Sequence, residues 1–219
     1  MPTRYTPSPR SRVKRAYQRA SYDQEAVFAI LDAAQMINVG YVIDGQPYVT
    51  PTFHWRDGNT IFWHGSSASK MLRQVRTGVP VCVTAAIFDG YVLARSPLHH
   101  SANYRTVMAF GKAKMITGRA AKEAALKQMM EVLFPGRWAA CRENYSQEIK
   151  ATTVVAMSIE EAAAKTRSGG PIDDEADYDT VKVWSGELPA LHPYGTPVAD
   201  SRLDPNCPLP DYLDPYRGR

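Results

Sequence analysis

The sequence predicts a mainly β protein, an antiparallel barrel with peripheral helices. Six or seven strand-like segments, rich in β-branched and aromatic residues, follow one another mostly through tight turns. Two or three amphipathic helical patterns interrupt them. The sequence contains neither the GxGxxG nor the Walker motif that accompanies many doubly wound parallel sheets. With 219 residues, 44% of them apolar, the chain is long enough to bury a sizeable core.

The first part of the chain is predicted to fold as one helix followed by three strands. The helix is expected over about residues 23–35, because apolar residues recur there at helical spacing. These residues are Val27, Ile30, Leu31 and Ala34. The predicted strands span residues 37–43, 48–55 and 60–64, with turns at 44–47 and 56–59.

The second of these turns determines the register that we expect for the strands around it. It sets Pro51 opposite His64, and it points His54 to the opposite face from His64. These two histidines are therefore not expected to share a metal ion. His99 and His100 are adjacent in the chain, which is also poor spacing for two ligands, so no metal site is assigned.

Residues 64–75, HGSSASKMLRQV, predict a second helix with Met71, Leu72 and Val75 on its apolar face. Ser66 or Ser67 can cap this helix. The free amides of a helix start attract anions, and Ser69 and Lys70 would add a hydroxyl and a cation suited to a phosphate. A serine cap followed by a surface lysine explains the same residues, so both interpretations stay open at this point.

Four more strands and one long helix are predicted further along. The strands span residues 79–88, 91–96, 103–116 and 151–159. Asp89 and Gly90 are expected to turn the chain between the first two of them. Gly111 indicates a bulge or a close approach within the third. The helix follows the third strand and presents Leu126, Met129, Met130 and Leu133 on one face.

The net charge of +4 is concentrated at the N-terminus. The first twenty residues hold six basic residues and no acidic ones, whereas the rest of the chain carries 20 basic and 22 acidic residues. We expect residues 1–20 to form a basic arm, which could contact nucleic acid or an acidic partner but is more simply a solvated tail. A body without a basic face argues against a dedicated nucleic-acid binder.

The C-terminal residues differ in composition from the rest of the chain. Seven prolines fall within residues 189–219, where no periodic apolar pattern occurs. After a single domain at residues 21–188 we therefore expect an extended tail that lies along a protein surface, which could be a partner subunit's. No stretch is long and apolar enough to span a membrane, and no secretory signal is visible, so a cytoplasmic location is expected. Three scattered cysteines, Cys82, Cys141 and Cys207, indicate neither disulfides nor zinc.

A polar run, ARSPLHHSANYR at residues 94–105, joins two of the apolar strands. Its donors and aromatic rings suit a planar ligand with polar edges, although a plain surface loop would have the same composition. KTR at residues 165–167 adds two cations, and Trp184 lies on a short apolar segment before the tail. No Ser-His-Asp, Cys-His or paired-carboxylate arrangement stands out, so no catalytic residue is assigned.

In combination, these segments resemble the pyridoxamine 5′-phosphate oxidase-like split barrels, a family that binds flavin mononucleotide (FMN). The resemblance rests on the order of YVTPTFHW, TIFWHGSS, the SK pair that opens a helix, VPVCVTAA and NYRTVMAFGKAKMI. LARSPLHHSANYR, AAAKTRSGGPIDD and VWSGELP are similar to the bacterial flavin-nucleotide-binding branch, which is related to nitroimidazole reductases. The resemblance covers about residues 20–190 and implies an antiparallel split β-barrel that forms a homodimer with FMN at the subunit interface.

The resemblance also implies which residues bind the cofactor. Ser69 and Lys70 match the pair that holds the FMN phosphate. Backbone for the edge of the isoalloxazine ring is expected from Val49, Thr50, Pro51, Thr52 and Phe53, and the end of the return strand contributes Trp63, His64, Gly65 and Ser66. Tyr104 and Arg105 fall on the strand that lines the interface, and Lys165, Arg167 and Trp184 are expected to complete the site, with the partner subunit as one possible source.

The function implied is that of an FMN-dependent oxidoreductase acting on a small molecule that the sequence does not name. The authentic oxidase grips its substrate phosphate with a C-terminal Arg-x-His, and no such pair follows Trp184, so pyridoxamine phosphate is not the expected substrate. A haem-binding or haem-degrading split barrel is an alternative, with His64, His99 or His100 as the axial ligand. A flavin-binding sensor without turnover and a deazaflavin cofactor are further alternatives.

Overall fold

The structure is a computed structural model that describes residues 3–75 and 77–216. The described residues form ten strands and six α-helices. The strands are β1 (Ala20–Ser21), β2 (Ile37–Ile43), β3 (Gln46–Thr52), β4 (Trp55–Asp57), β5 (Thr60–Ser66), β6 (Thr77–Leu93), β7 (Ser101–Met115), β8 (Thr152–Ser158), β9 (Glu161–Arg167) and β10 (Gly186–Pro189). The helices are α1 (Gln24–Ala33), α2 (Lys70–Val75), α3 (Arg119–Leu133), α4 (Arg137–Ala140), α5 (Ser146–Ala151) and α6 (Glu175–Thr180).

The strands form one antiparallel sheet in the order β3-β2-β6-β7-β8-β5-β4. Along one edge β7 pairs with β6, while its other edge is shared by β9 over residues 104–110 and by β8 over residues 113–115. The sheet divides where β8 and β9 separate, and it is not strictly closed. The predicted fold class, a mainly β split barrel with peripheral helices, is confirmed.

Large apolar side chains from the strands and from α1 and α2 fill the centre of the barrel. Fully buried members include Leu31, Ile61, Trp63, Leu72 and Val83. Burying a side chain of this size stabilises the fold by about 1.5–3 kcal/mol. Within the described residues, no helix is long and apolar enough to cross a membrane.

The predicted pairing of the strands around His64 is wrong. β3 pairs with β2, which sets Pro51 opposite Asn38, and a separate short strand, β4, forms the tight hairpin with β5. His64 therefore lies opposite Val154 of β8. The chain between β3 and β4 passes from one end of the strand order to the other, and residue-by-residue alternation cannot reveal that crossing.

Asp89 and Gly90 do not turn the chain. β6 continues to Leu93 and stays paired with β7, with a register shift between Phe88 and Gly90. Gly90 has a φ of 144°, and a Cβ there would lie 2.4 Å from the carbonyl oxygen of Leu188 in β10. Gly90 therefore allows a β-bulge and the close approach of β10, and it does not form a hairpin turn.

Gly111 makes the close approach that the sequence indicated. A Cβ at this position would lie 2.3 Å from the carbonyl oxygen of Ser158. β9 was not predicted, because Ala162, Ala163 and Ala164 have weak strand propensity. All three are buried, so packing decides their conformation.

The basic N-terminal arm is not a solvated tail throughout. Tyr5 is 6% exposed and joins the core, and burial raises the pKa of Tyr5 to about 12. The Arg10 Nε donates to Glu161 over 2.9 Å, and the Ser11 hydroxyl donates to the same carboxylate over 2.7 Å. These contacts tie the arm to β9.

The proline-rich tail lies along the surface of its own chain. The Tyr216 hydroxyl donates to the Leu133 carbonyl at the end of α3 over 2.6 Å, and Arg137 donates to the Tyr212 hydroxyl over 2.8 Å. The tail thus covers the end of α3. Contact of the tail with a partner subunit stays a prediction.

Candidate functional site

One edge of β3 is free among the described strands. β3 pairs with β2 alone, so the backbone groups along its other edge can meet a ligand or another chain. Val49 is 70% exposed and Phe53 is 54% exposed, and Pro51 is exposed between them. Thr50 and Thr52 are half-buried. The five residues predicted to face the flavin ring therefore form or adjoin one accessible strand edge.

Lys70, at the start of α2, lies beside this strand. Its Nζ donates to the Tyr48 hydroxyl over 2.9 Å and sits 4.2 Å from the centre of the Tyr48 ring. The hydrogen bond with Tyr48 raises the pKa of Lys70, which keeps the exposed ammonium group charged. Tyr48 directly precedes Val49, so the predicted phosphate cation and the predicted ring-binding strand do meet. Sequence reasoning missed Tyr48, whose place at the start of the edge strand was the available signal.

Hydrogen bonds to Ser66 stabilise the loop from β5 to α2. The Ser69 amide donates to the Ser66 carbonyl over 2.9 Å, and the Ala68 amide donates to the Ser66 hydroxyl over 3.2 Å. Ser69, rather than Ser66 or Ser67, flanks the helix, because α2 begins at Lys70. α2 has only six residues, so Lys70 supplies the positive charge more effectively than the helix end does. Gly65 lies before this loop, where a Cβ would sit 3.0 Å from Leu72 Cδ1.

Trp63 and His64 point to opposite faces of β5. Trp63 is fully buried in the barrel core, so within a single chain it presents no surface to a ligand. His64 is half-buried on the other face, with its ring 6.0 Å from the ring of Trp55. Burial lowers the pKa of His64, and its Nδ1 has no hydrogen-bond partner in the described structure. Burial thus favours the neutral form of the His64 imidazole, and its Nδ1 is unused among the described residues.

The other predicted cofactor residues form a second group, away from β3. Its members are Tyr104, Arg105, Lys165, Arg167 and Trp184. Cross-strand pairs connect Val49 to Gly40, Gly40 to Cys82 and Cys82 to Phe110. Tyr104 is six residues from Phe110 on β7, or about 20 Å at ~3.3 Å per residue. Within one chain, Tyr104 and its neighbours therefore do not adjoin the edge of β3.

Arg167, a member of this second group, links β7 to the turn after β9. It is 6% exposed, and its guanidinium group donates to the Gly169 carbonyl over 2.8 Å and to the Gly170 carbonyl over 2.9 Å. It also donates to the Asn103 side-chain oxygen. These bonds fix the turn after β9 against β7.

The remaining members of the second group differ in their surroundings. Arg105 makes two hydrogen bonds to Asp89, at 2.9 and 2.7 Å, and these bonds lower the pKa of Asp89. The Lys165 Nζ donates to the Arg15 carbonyl of the N-terminal arm over 3.0 Å. Trp184 is 66% exposed. Of the second group, Trp184 offers the largest free apolar surface.

Asp173 anchors the polar run at residues 94–105. Its fully buried carboxylate accepts hydrogen bonds from the Arg95 amide over 2.9 Å and from the Arg95 side chain over 3.0 Å. Burial raises the pKa of Asp173, but these bonds outweigh it and the pKa is lowered. Sequence reasoning missed Asp173, which lies about 80 residues beyond Arg95. Among the described residues, no three His, Cys, Asp or Glu side chains are grouped as ligands of a metal ion.

Known proteins resemble both the barrel and the chain as a whole. A family model described as pyridoxamine 5′-phosphate oxidase matches residues 23–166. Among solved structures, the flavocytochrome Anf3 from Azotobacter vinelandii is 40% identical, with a TM-score of 0.91 over 97% of this chain and 99% of that chain. The FAD and heme binding protein from Mycobacterium smegmatis is 30% identical, with a TM-score of 0.85 over 90% of this chain and 97% of that chain.

A more distant structure shares the fold alone. It is a protein from Bacteroides thetaiotaomicron named for 5-nitroimidazole antibiotic resistance, 21% identical, with a TM-score of 0.53 over 67% of this chain and 85% of that chain. No curated protein matches the sequence. Because the family model covers well over half of the chain, and two relatives of 30% identity or more match nearly all of it, the chain belongs to the pyridoxamine 5′-phosphate oxidase family of split barrels.

Proposed function

We propose that this protein binds both a flavin and haem and acts as a flavin-dependent oxidoreductase on a small molecule. The observation that carries this proposal is the 40% identity to a flavocytochrome over 97% of the chain. The relative named for FAD and heme extends over 90% of the chain. Both matches reach well beyond residues 23–166, so they are not limited to the barrel that defines the family.

The flavin would lie along the free edge of β3, with its phosphate near Lys70. The residues present fit such a molecule: an exposed strand edge for the polar side of the ring, exposed apolar residues at Val49 and Phe53, and a charged ammonium group for the phosphate. A bound flavin supplies electron transfer between a reduced substrate and an acceptor. The chain's own residues bind and orient it, and they need no nucleophile for that task.

The flavin is expected to be FAD. The sequence resemblance predicts FMN, but the relative that is 30% identical over 90% of the chain is named for FAD. Lys70 can serve either cofactor, because both FMN and FAD carry an anionic phosphate next to the ribityl chain. Liquid chromatography of the cofactor released from the purified protein separates the two, and recovery of FMN alone would contradict the expectation of FAD.

The protein is further proposed to be a homodimer. Tyr104 lies about 20 Å along β7 from the row that contains Val49 and about 13 Å from the row that contains Pro51, and β2 and β6 separate β7 from β3, so a second chain would have to bring Tyr104 to the flavin. Light scattering should give twice the 24.4 kDa mass of one chain. A monomer that still holds its flavin at full occupancy would contradict this arrangement.

The visible spectrum of the purified protein, supplied with flavin and hemin, tests the main proposal. A two-banded flavin spectrum together with a haem Soret band is expected. A Soret band without flavin bands would favour the haem-only alternative. Flavin bands without a Soret band would contradict the proposal that the protein binds haem. Turnover of a reduced nicotinamide with an electron acceptor then separates an oxidoreductase from a flavin-binding sensor.

A further inference from the structure

A cavity lies between the body of the chain and the C-terminal tail. Its volume is about 650 Å³, within the range of about 300–1,000 Å³ that holds organic ligands. The body contributes the end of α1, the segment between β3 and β4, and the end of α3, and the tail contributes residues 194–197 with Leu213 and Tyr216. Phe53, the last residue predicted to face the flavin, also lines this cavity.

Aromatic rings form much of the cavity wall. Phe134 at the end of α3 lies 5.7 Å from the ring of Tyr216, and Tyr216 lies 4.9 Å from the ring of Tyr194. Trp55, which is 2% exposed, also lines the cavity. Such a wall suits a large, flat and mostly apolar ligand.

His54 lines the same cavity with an unused nitrogen. The residue is 6% exposed, and its Nε2 makes a 2.8 Å hydrogen bond with the Leu31 carbonyl. Because a carbonyl only accepts, Nε2 carries the proton, which leaves Nδ1 unprotonated. Nδ1 has no partner in the described structure and is closed off from solvent, so binding an iron in the cavity would require the His54 ring to turn or its neighbours to move. Metal-binding histidines commonly donate their other ring N–H to a backbone carbonyl in this way.

Several polar lining residues are paired with one another. Arg56 makes hydrogen bonds of 2.8 and 2.5 Å to Asp32, and both residues line the cavity. The Gln35 amide donates to the Tyr194 hydroxyl over 2.9 Å, which connects α1 to the tail. These polar side chains are paired with one another, and the rest of the lining is mostly apolar, which suits a flat, mostly apolar macrocycle.

We propose that this cavity is the haem site, with His54 as the iron ligand and the C-terminal tail as one wall. The inference rests on the proposed binding of haem and adds its location, its ligand and a role for the tail. The flavocytochrome match includes most of the tail, since it covers 97% of the chain, whereas the family model ends at residue 166. Because Phe53 borders both sites, the two cofactors would be neighbours, as electron exchange between them requires.

A cavity-filling variant tests the location without disturbing the core. Val132 lines the cavity but is 56% exposed, so Val132→Trp should fold normally while its indole occupies the space. The matched control is Val198→Trp in the tail, where the valine is 94% exposed and lies outside this cavity. In titrations with hemin, Val132→Trp should bind at least tenfold more weakly than the wild type, and Val198→Trp should match the wild type.

A ligand variant tests His54 itself. His54→Ala should lose hemin affinity and shift the Soret band, whereas His192→Ala, which removes an exposed histidine outside the cavity, should change neither. Flavin content measured on the same samples reports whether the barrel is intact. If His54→Ala does not fold, Val132→Trp decides the question of location.

The outcomes separate this inference from the proposed function. If the wild-type protein binds flavin but no hemin, both the proposed haem binding and this inference are wrong. Wild-type protein that binds hemin, with Val132→Trp and His54→Ala binding it equally well, would overturn the cavity assignment alone. Loss of the Soret band only on replacement of His64 would have the same effect.

Discussion

The Lys70 ammonium group donates a hydrogen bond of 2.9 Å to the Tyr48 hydroxyl, which joins the start of α2 to the edge strand β3. The same group lies 4.2 Å from the centre of the Tyr48 ring. Its hydrogen-bond partner is a phenol rather than a carboxylate, and among the described residues Asp44 acts on Lys70 only through its longer-range charge. The contact therefore holds a cation beside the exposed backbone of β3, where an anionic cofactor is proposed to bind.

Replacing Lys70 with alanine should weaken flavin binding at least tenfold. The reason is that Lys70→Ala removes the cation proposed for the phosphate, and a tenfold loss corresponds to about 1.4 kcal/mol. The quenching of flavin fluorescence on titration with apoprotein measures the dissociation constant. Stability should change little, since Lys70 is exposed.

Two controls accompany this substitution. Tyr48→Phe keeps the ring under Lys70 and removes only the hydrogen bond, so its effect on flavin affinity should be smaller than that of Lys70→Ala. Lys127→Ala removes an exposed lysine from α3, a helix that packs against α4, α5 and β8, and should leave affinity unchanged. Equal affinity for Lys70→Ala and Lys127→Ala would show that Lys70 does not hold the phosphate.

Gly111→Ala should destabilise the barrel severely. The added Cβ would lie 2.3 Å from the Ser158 carbonyl oxygen and 2.7 Å from Met157 Cγ, and the first of these is backbone that cannot move alone. Overpacking of this kind typically costs about 1–3 kcal/mol. Urea unfolding followed by tryptophan fluorescence measures the change. Gly195→Ala, where a Cβ meets open space, should unfold like the wild type.

The contact between the N-terminal arm and Glu161 should make stability depend on pH. Hydrogen bonds from Ser8, Ser11 and Arg10 hold the pKa of Glu161 below its ordinary value of 4.5. A carboxylate whose pKa is lowered by folding stabilises the native state above the unfolded-state pKa, and this contribution disappears as pH falls through the folded-state pKa. Glu161→Gln should therefore lower the urea midpoint at pH 7, and the difference from the wild type should shrink below pH 4.5.

The control for this measurement is a glutamate for which the described part of the chain shows no such bonds. Glu175→Gln lies in the exposed first turn of α6 and should not reproduce the pH-dependent difference. A constant difference between Glu161→Gln and the wild type from pH 7 to pH 3 would mean that the Glu161 charge does not stabilise the arm.

Local periodicity explains which elements could be predicted. The strand expected at residues 37–43 coincides with β2, Ile37–Ile43, and the helical face with Val27, Ile30 and Leu31 is buried in α1. Each of these patterns is complete within a few residues. The pairing of β3 with β2, and the existence of β9, depend on strands distant in the chain, and a run of alanines gives no local signal for them.

The candidate site could be predicted in part for the same reason. Lys70 contacts Tyr48, directly before Val49, because the loop after β5 brings α2 back to β3, and the family resemblance indicated Lys70 and Val49. Tyr48 was not predicted because tyrosine is common in strands and gives no specific signal of a binding site. His54 was considered only as a partner for His64, and its cavity forms only when the distant tail folds against α3.

Arg167 provides a test of whether the second group serves structure or cofactor. Its guanidinium group is the donor for the Gly169 and Gly170 carbonyls and for the Asn103 oxygen, so Arg167→Ala should leave buried acceptors unpaired and cost about 2 kcal/mol or more. Arg167→Lys should recover part of that loss, because one ammonium group cannot reproduce the planar set of donors. Urea unfolding gives the stability, and flavin titration of the folded protein gives the affinity. A structural arginine predicts lower stability with nearly unchanged flavin affinity, whereas normal stability with lost affinity would mean that Arg167 reaches the flavin in the assembled protein.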